Sequence, residues 1–347
     1  MRLKSLLTAF IAAATLAWPA AAQDCVGRNL FDDMAPERLA QLRAATDAVP
    51  HHKGLFWRAG KGDSHVLLLG TYHFADPRHE RTMARFGPEI DRAAALLVEA
   101  GPAEEAKLAE AMAADPTLVV DTTGPTLPER LGEADWQALS AALEDRGLPA
   151  LIASKLRPWY VAVMLGISPC MKRMVEARGD AGGLDHLLIA RAEAADVPVR
   201  ALEPWDTVFT LFRDMTPKEE EDMIRAAMPA AAYADDYATT LSDSYFAGDS
   251  WLIWEFGRFD AYENSGLSRA EVDRQMRLAQ EKLMDQRNES WIQPIEQAAA
   301  DAARQGKGVV AGFGALHLPG RHGVLQLLQN RGWTISPVTV EGIGDGG

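Results

Sequence analysis

The stretch HVLLLGTYHF, residues 65–74, opens with an aliphatic run that stops at Gly70 and is followed three positions later by His73. The same arrangement returns near the other end of the chain in GVVAGFGALHL, residues 308–318, where the run reaches Gly314 and His317 follows. Unbroken apolar runs are typical of strands buried on both faces, as in parallel sheets. The repeated G-x-x-H phrase therefore predicts two strands of one sheet, each with a histidine beyond its carboxyl end.

Strand-like apolar runs occur at both ends of the chain, and helical patterns fill the middle. The runs are 54–58, 65–71, 94–99, 197–203, 308–313 and 333–338. Two helical blocks, about 103–195 and 206–305, separate the third run from the fourth and the fourth from the fifth. This pattern predicts an α/β fold with a central, largely parallel or mixed sheet built from both ends of the chain, with large helical insertions.

Three segments within the helical blocks have clear helical patterns. Residues 131–147 and 153–170 are amphipathic, and Gly147 suits a helix C-terminus while Pro158 and Pro169 punctuate the second segment. A longer pattern runs from Ser268, a good N-cap, to Gly306. We expect this long helix to bend at Pro294.

The composition excludes some classes of partner. The chain has 347 residues, a formal net charge of −14 and 48% hydrophobic residues. So acidic a protein is a poor ligand for nucleic acid or anionic lipid surfaces. Residues 1–22 combine a basic start, an apolar stretch and an A-x-A ending, which predicts a cleaved secretory signal. We therefore expect a single domain over 23–347, periplasmic or extracellular, without a membrane span.

The two cysteines are expected to pair. Cys25 and Cys170 both lie after the predicted signal, and exported proteins meet an oxidising compartment. A Cys25–Cys170 disulfide is the favoured interpretation, and two unrelated buried thiols are the alternative.

Carboxylates follow two of the predicted strands, as the histidines follow two others. Glu99 closes AALLVEA and Glu203 closes VPVRALE. With His73 and His317 they form a nitrogen and oxygen donor set suited to a divalent metal, such as Mn, Co or Zn, with an open position for water. Alternatively, without metal, His73 acts as a general base held by a carboxylate.

The motif DQRNESW, residues 285–291, adds an arginine to the candidate site. Arg287 and Trp291 share a helix face. The guanidinium could clamp a substrate carboxylate or stabilise an oxyanion, or Arg287 could be a surface residue lying over Trp291. The chain has no H-E-x-x-H, G-x-S-x-G or phosphate-loop motif, and GFGALH has His317 where a dinucleotide fingerprint needs glycine.

These motifs together resemble the TraB/GumN family, which includes the Tiki metalloproteases and the pheromone-shutdown proteins and is distantly similar to erythromycin esterases. The matching segments span most of the chain: CVGRNL, LLGTYH, LLVEA, LRPWYVAVML, GLDHLLIARAEAADVPVRALE, RNESW and GFGALHL. Each is weak alone, but their order and spacing are specific.

The resemblance implies that six residues of this chain have functional roles. They are His73, His317, Glu99, Arg287, Asn288 and Glu203. Tyr72 departs from the family pattern, which usually has a smaller residue before the histidine, and it is expected to shape the substrate pocket. Tiki members are similar to metal-dependent proteases, but they are membrane-anchored, so their peptide substrates do not transfer directly.

The sequence thus predicts an exported metal-dependent hydrolase acting on a peptide or related amide. His73, His317 and Glu99 are expected to hold the ion or its water, with Glu203 behind them and Arg287 and Asn288 binding substrate. Two alternatives stay open at this point. One is a non-catalytic periplasmic protein that binds a metal or peptide, and the other is a metal-free esterase with His73 as general base.

Overall fold

The central sheet joins strands from the two ends of the chain. The computed structural model describes residues 27–178 and 182–344. Within them, six strands form one sheet in the order β4-β3-β5-β2-β1-β6. The strands are β1 (Phe56–Lys61), β2 (Ser64–Thr71), β3 (Leu96–Val98), β4 (Val199–Ala201), β5 (Val309–Gly314) and β6 (Thr334–Pro337).

The sheet is mixed. β4, β3, β5 and β2 run parallel to one another, while β1 is antiparallel to both β2 and β6. All six strands lie within or overlap the predicted apolar runs, and the α/β fold with strands from both ends of the chain is confirmed. β5, which comes late in the sequence, stands at the centre between β2 and β3.

Helices cover the sheet and fill the two long intervals between strands. The α-helices are α1 (Pro36–Asp47), α2 (His79–Ile90), α3 (Pro102–Ala114), α4 (Leu127–Leu131), α5 (Glu133–Glu144), α6 (Ala150–Ala153), α7 (Pro158–Leu165), α8 (Pro169–Arg178), α9 (Leu184–Ala194), α10 (Thr207–Phe212), α11 (Pro217–Ala231), α12 (Ala234–Phe246), α13 (Ser250–Asn264), α14 (Arg269–Gln280), α15 (Gln286–Ala303) and α16 (Val324–Asn330). Short 3₁₀ turns lie at Pro116–Leu118 and Ala315–His317, and a π-helix lies at Glu281–Asp285.

Burial on both faces of the sheet explains the unbroken apolar runs. Leu67 and Leu69 of β2 pack in one core with residues of α2, α9 and α12. Val66 and Leu68 point the other way, into a core with residues of α15 and α16. A third cluster joins α4, α5, α7 and α11 away from the sheet. Successive side chains of a strand alternate between faces, so a strand covered on both sides needs apolar residues throughout.

The long predicted helix contains one irregular turn, which lies before Pro294, the residue at which we expected a bend. The structure is helical from Arg269 to Ala303, but the α pattern changes to a π pattern at Glu281–Asp285. Pro294 lies inside α15. A π turn holds one more residue than an α turn and often occurs beside functional sites. Here it immediately precedes the turn that carries Arg287.

Two predictions concern residues that the structure does not describe. Residues 1–22 and Cys25 lie outside the described ranges, so the secretory signal and the Cys25–Cys170 disulfide stay predictions. In the part of the chain that is described, no helix has the length and apolar character needed to cross a bilayer.

Candidate functional site

The two G-x-x-H phrases lie side by side because β2 and β5 are neighbouring parallel strands. Thr71, the last residue of β2, pairs with Gly314, the last residue of β5. The chain leaves both strands at the same edge, and His73 and His317 follow within three residues. In open α/β sheets this carboxyl edge is where binding and catalytic sites are built.

Gly314 is the point on which the predicted site residues converge. A Cβ atom added there would lie 3.2 Å from His73 Nε2, 3.3 Å from Glu99 Oε1 and 3.6 Å from His317 Cδ2. The Gly314 N–H donates a hydrogen bond to Glu99 Oε1 at 2.6 Å. Because glycine has no side chain, both imidazoles and the carboxylate can approach the same small space.

Asp185 orients His73, and sequence reasoning missed this residue. Asp185 Oδ2 lies 2.9 Å from His73 Nδ1, and Asp185 Oδ1 accepts a hydrogen bond from the Thr71 hydroxyl at 2.5 Å. The carboxylate accepts only, so the hydrogen-bond network assigns the His73 proton to Nδ1 and leaves Nε2 toward Gly314. The His73 side chain is 59% exposed, so the ring can be reached from solvent.

The backbone just after β2 holds Asp185 in place. Asp185 lies in the first turn of α9, and the N–H groups of Gly183 and Leu184 donate to the carbonyls of His73 and Tyr72 at 3.1 and 2.9 Å. A Cβ atom at Gly183 would lie 2.1 Å from the Tyr72 oxygen, so the glycine permits this approach. The one sequence feature that marks Asp185 is its place just after Gly183 at the start of a helix. Acidic residues are common there because they interact favourably with the helix dipole, so this feature does not identify a site residue.

Arg287 forms a complete set of hydrogen bonds inside the site. Nε and Nη2 donate to Glu203 at 2.6 and 2.9 Å, and Nη2 also donates to Glu99 at 2.6 Å. Nη1 donates to the Leu283 carbonyl at 3.0 Å and lies 3.3 Å from His317 Nε2. All five guanidinium N–H donors thus have partners. Arg287 therefore holds the carboxylates in place, and this arrangement leaves no donor for the predicted substrate or oxyanion contact.

His317 is held on both ring nitrogens. Its Nδ1 lies 2.6 Å from Asn288 Oδ1, and Asn288 Nδ2 donates to the His322 carbonyl at 2.9 Å. The ring packs against Trp291 with centroids 4.5 Å apart, and His317 is 5% exposed. Asn288 is fully buried, so it positions His317, whereas the sequence had placed it against the substrate.

The two histidines have opposite electrostatic environments. The Asp185 carboxylate raises the pKa of His73 to about 9 against the effect of burial, with a smaller contribution from Glu99. Burial lowers the pKa of His317 to about 3. At neutral pH His317 is therefore uncharged, while His73 binds a proton readily. Such a separation of pKa values is typical of acid–base sites.

Glu99 is ionised despite its position. Burial opposes the charge, but His317 once protonated, Arg287 and His73 together lower the pKa of the Glu99 carboxyl to about 2. Its side chain is 19% exposed. The site therefore keeps a carboxylate directly beside the exposed ring of His73.

The side chains predicted to bind a divalent metal are of suitable kinds, and in this structure two of them contact the Arg287 guanidinium. His317 Nε2 and Glu99 Oε2 both face the Arg287 guanidinium. Glu203 is bound to Arg287 and also accepts a hydrogen bond from Trp291 Nε1 at 2.9 Å. Throughout residues 27–178 and 182–344, no group of three or more His, Cys, Asp or Glu side chains is placed to hold a metal ion. Metal binding stays a prediction, and it would require His317 and Glu99 to exchange their contacts with Arg287 for contacts with the ion.

Tyr72 is not brought to the site. It is 8% exposed and belongs to the core beneath the sheet. Its ring stacks on Tyr245 with centroids 5.4 Å apart and contacts Phe74 and His79. His73 faces the site, whereas Tyr72 faces the core.

Comparison with known proteins agrees with the motifs. No curated protein and no solved structure matches the sequence. A family profile described as the TraB/PrgY/gumN family matches residues 55–337, which include every strand and all the site residues described above. The chain therefore belongs to the TraB/PrgY/gumN family.

Proposed function

We propose that the chain is an exported hydrolase. It cleaves the bond between a carbonyl carbon and the nitrogen of an amide or the oxygen of an ester, and a peptide or related amide is the favoured substrate class. The observation that carries the proposal is the convergence of His73 Nε2 and Glu99 Oε1 at Gly314. Each of these groups is fixed from behind, His73 by Asp185 and Glu99 by Arg287. A base that is held by an orienting carboxylate and can be reached from solvent is the arrangement that proton transfer requires.

In the proposed mechanism, His73 is the proton-transfer residue. Neutral His73 accepts a proton at Nε2 from a water molecule as the water oxygen attacks the substrate carbonyl carbon. Asp185 and Glu99 stabilise the imidazolium that forms. The same proton then passes to the leaving nitrogen or oxygen as the carbonyl–heteroatom bond breaks, which restores neutral His73. Arg287 and Asn288 are positioning residues in this scheme.

A metal-dependent reaction of the same kind is the second candidate. It is favoured by one observation, that His73 and His317 both have Nδ1 bonded to a side-chain oxygen, which leaves each Nε2 as the potential ligand. If an ion binds, His73, His317 and Glu99 would hold it, and it would supply a water of lowered pKa. Such binding requires Arg287 to release His317 and Glu99.

The test measures hydrolysis of a peptide library and of a set of esters by the purified protein, residues 23–347, with and without a chelator. The active-site variant is His73→Gln, and the control is His65→Gln at the other end of β2, where the histidine is exposed. We expect turnover that survives chelation, is lost in His73→Gln and is kept in His65→Gln.

Other outcomes identify the alternatives. Turnover that is lost on chelation and restored by Mn, Co or Zn would establish the metal-dependent candidate. Saturable binding of a peptide without turnover, under every metal condition, would refute the hydrolase and assign a binding protein.

A further inference from the structure

The helices beside the site line a partly open cavity of about 290 Å³. Its wall comes from α7, α8, α11, α12, α13 and α14, together with Phe74 and Leu316. Phe74 directly follows His73, and Leu316 directly precedes His317. Each G-x-x-H phrase thus has its histidine in the site and an adjacent apolar residue in the cavity wall.

Small apolar residues keep this cavity open. Its alanines come mainly from α11 and α12, and they are Ala162, Ala226, Ala227, Ala230, Ala234, Ala238 and Ala261. An apolar cavity of about 150 Å³ accepts benzene, so this one has room for on the order of ten carbon atoms.

The wall also carries buried donors that have no partner among the described residues. Gln275 is 6% exposed and lines the cavity, and its Nε2 is unpaired. Trp254, also in the wall, has an unpaired and buried Nε1. A buried polar atom without a hydrogen bond costs about 1–3 kcal/mol, and a ligand that carries an acceptor would remove this cost.

We propose that the cavity binds the acyl part of the substrate, an unbranched aliphatic chain of about eight to ten carbon atoms with one hydrogen-bond acceptor. This inference rests on the proposed function, because it places the scissile carbonyl at His73 and the chain past Phe74 and Leu316. Gln275 and Trp254 then donate to the acceptor on the chain. The hydrolase would accordingly select long acyl amides and esters over short ones.

Binding is tested first, without chemistry. Octanamide and acetamide are titrated calorimetrically into the wild-type chain, Ala230→Phe, which fills the cavity, and Ala113→Phe on the exposed face of α3 as the control. We expect octanamide to bind at least tenfold more tightly than acetamide, and Ala230→Phe alone to remove that preference. Gln275→Met should weaken 8-hydroxyoctanamide, which carries an acceptor on its chain, about threefold to tenfold, and should not weaken octanamide.

Hydrolysis is tested second, with p-nitrophenyl acetate, butyrate, octanoate and decanoate. We expect kcat/KM to rise at least tenfold from acetate to octanoate in the wild type and to be flat in Ala230→Phe. Equal binding of octanamide and acetamide by the wild type would overturn the cavity assignment, whether or not the variants fold. Octanamide binding by both the wild type and His73→Gln, without hydrolysis of any ester or amide by the wild type, would support the cavity and refute the hydrolase.

Discussion

At the scale of single residues, the pair formed by His73 and Asp185 is expected to determine how the proposed hydrolysis depends on pH. The pKa of His73 is raised to about 9, mainly by Asp185, so the neutral base is the minor form at pH 7. Hydrolysis that uses neutral His73 should therefore increase with pH and level off above about pH 9. More than half of the ring surface is exposed, and water screening reduces the effect of the carboxylate there.

Asp185→Asn should move this pH dependence downward. The amide keeps a hydrogen-bond acceptor but has no charge, so the pKa of His73 falls toward its usual value of about 6.5. We expect the half-maximal pH of kcat/KM to fall by at least one unit, and the maximal rate to fall about tenfold to a hundredfold. Titration of the His73 ring by NMR measures the same shift without activity. An unchanged profile in Asp185→Asn, with Glu105→Gln as the control, would exclude His73 as the base.

Gly314 provides a second prediction at this scale. Its backbone has φ −47° and ψ 133°, which any residue adopts, so Gly314→Ala adds no backbone strain. The new methyl group would instead lie against His73 Nε2 and Glu99 Oε1. We expect at least a tenfold loss of kcat/KM and a loss of about 1–3 kcal/mol in unfolding free energy, because a methyl group added to a packed site displaces its neighbours.

The control for Gly314→Ala is Gly60→Ala in β1. A Cβ atom there would lie 3.5 Å from His65 Nδ1, an ordinary contact. Enzyme kinetics and urea unfolding are measured on both variants. Full activity in Gly314→Ala would show that the space beside this glycine is not used in catalysis.

At the scale of elements, the start of α15 fixes the site to the sheet. Arg287 is 17% exposed and joins Glu99, which follows β3, to Glu203, which follows β4. Arg287→Met would leave both carboxylates without their cation. Removing one partner of a buried ion pair typically costs about 3–5 kcal/mol, and we expect a loss of this order in urea unfolding.

Arg304→Met is the matched control for Arg287→Met. Arg304 follows α15 at its other end, and its side chain is 70% exposed. Exposed ion pairs contribute about 0–1 kcal/mol, so this variant should unfold almost as the wild type does. Equal losses in the two variants would contradict the bridging role of Arg287.

The elements also show what could be predicted from the sequence. The runs that end at Gly70 and Gly314 were recognisable as strands because burial on both faces requires continuous apolar residues. The residues that follow these strands could be expected at one edge of the sheet, because parallel strands have their carboxyl ends on the same side. Asp185 was not, because it reaches the site through the docking of α9, a long-range contact that leaves no local pattern. The roles of Arg287 and Asn288 depend on which donors and acceptors are already occupied, and residue type alone does not determine this.

At the scale of the whole molecule, the site contributes to acid sensitivity. His317 has a folded pKa of about 3 against about 6.5 when unfolded, so the unfolded chain binds its proton first. The contribution of neutral His317 to stability is complete above about pH 6.5 and decreases as pH falls toward 3, by up to about 1.4 kcal/mol per pH unit. Glu99, with its pKa lowered to about 2, adds a further loss below about pH 4.5.

His317→Gln should reduce this acid sensitivity. The variant has no group that titrates between pH 6.5 and 4.5 at this position, so its melting temperature should fall less over that range than that of the wild type. His322→Gln, an exposed histidine beside Glu289, is the control and should behave as the wild type. Parallel melting curves for all three proteins would show that burial of His317 is not a source of the pH dependence.

The central position of β5 has a consequence for biosynthesis. β2 ends at Thr71, yet the strand that joins it to β3 begins only at Val309. During synthesis from the N-terminus, the hairpin of β1 and β2 and the pair of β3 and β4 emerge long before the strand that unites them. Pairings between distant segments form slowly and leave apolar edges uncovered meanwhile. Most of this protein thus leaves the ribosome before the sheet can form across its centre, and every copy that stops short of β5 lacks both the central strand and the sheet edge that carries His317.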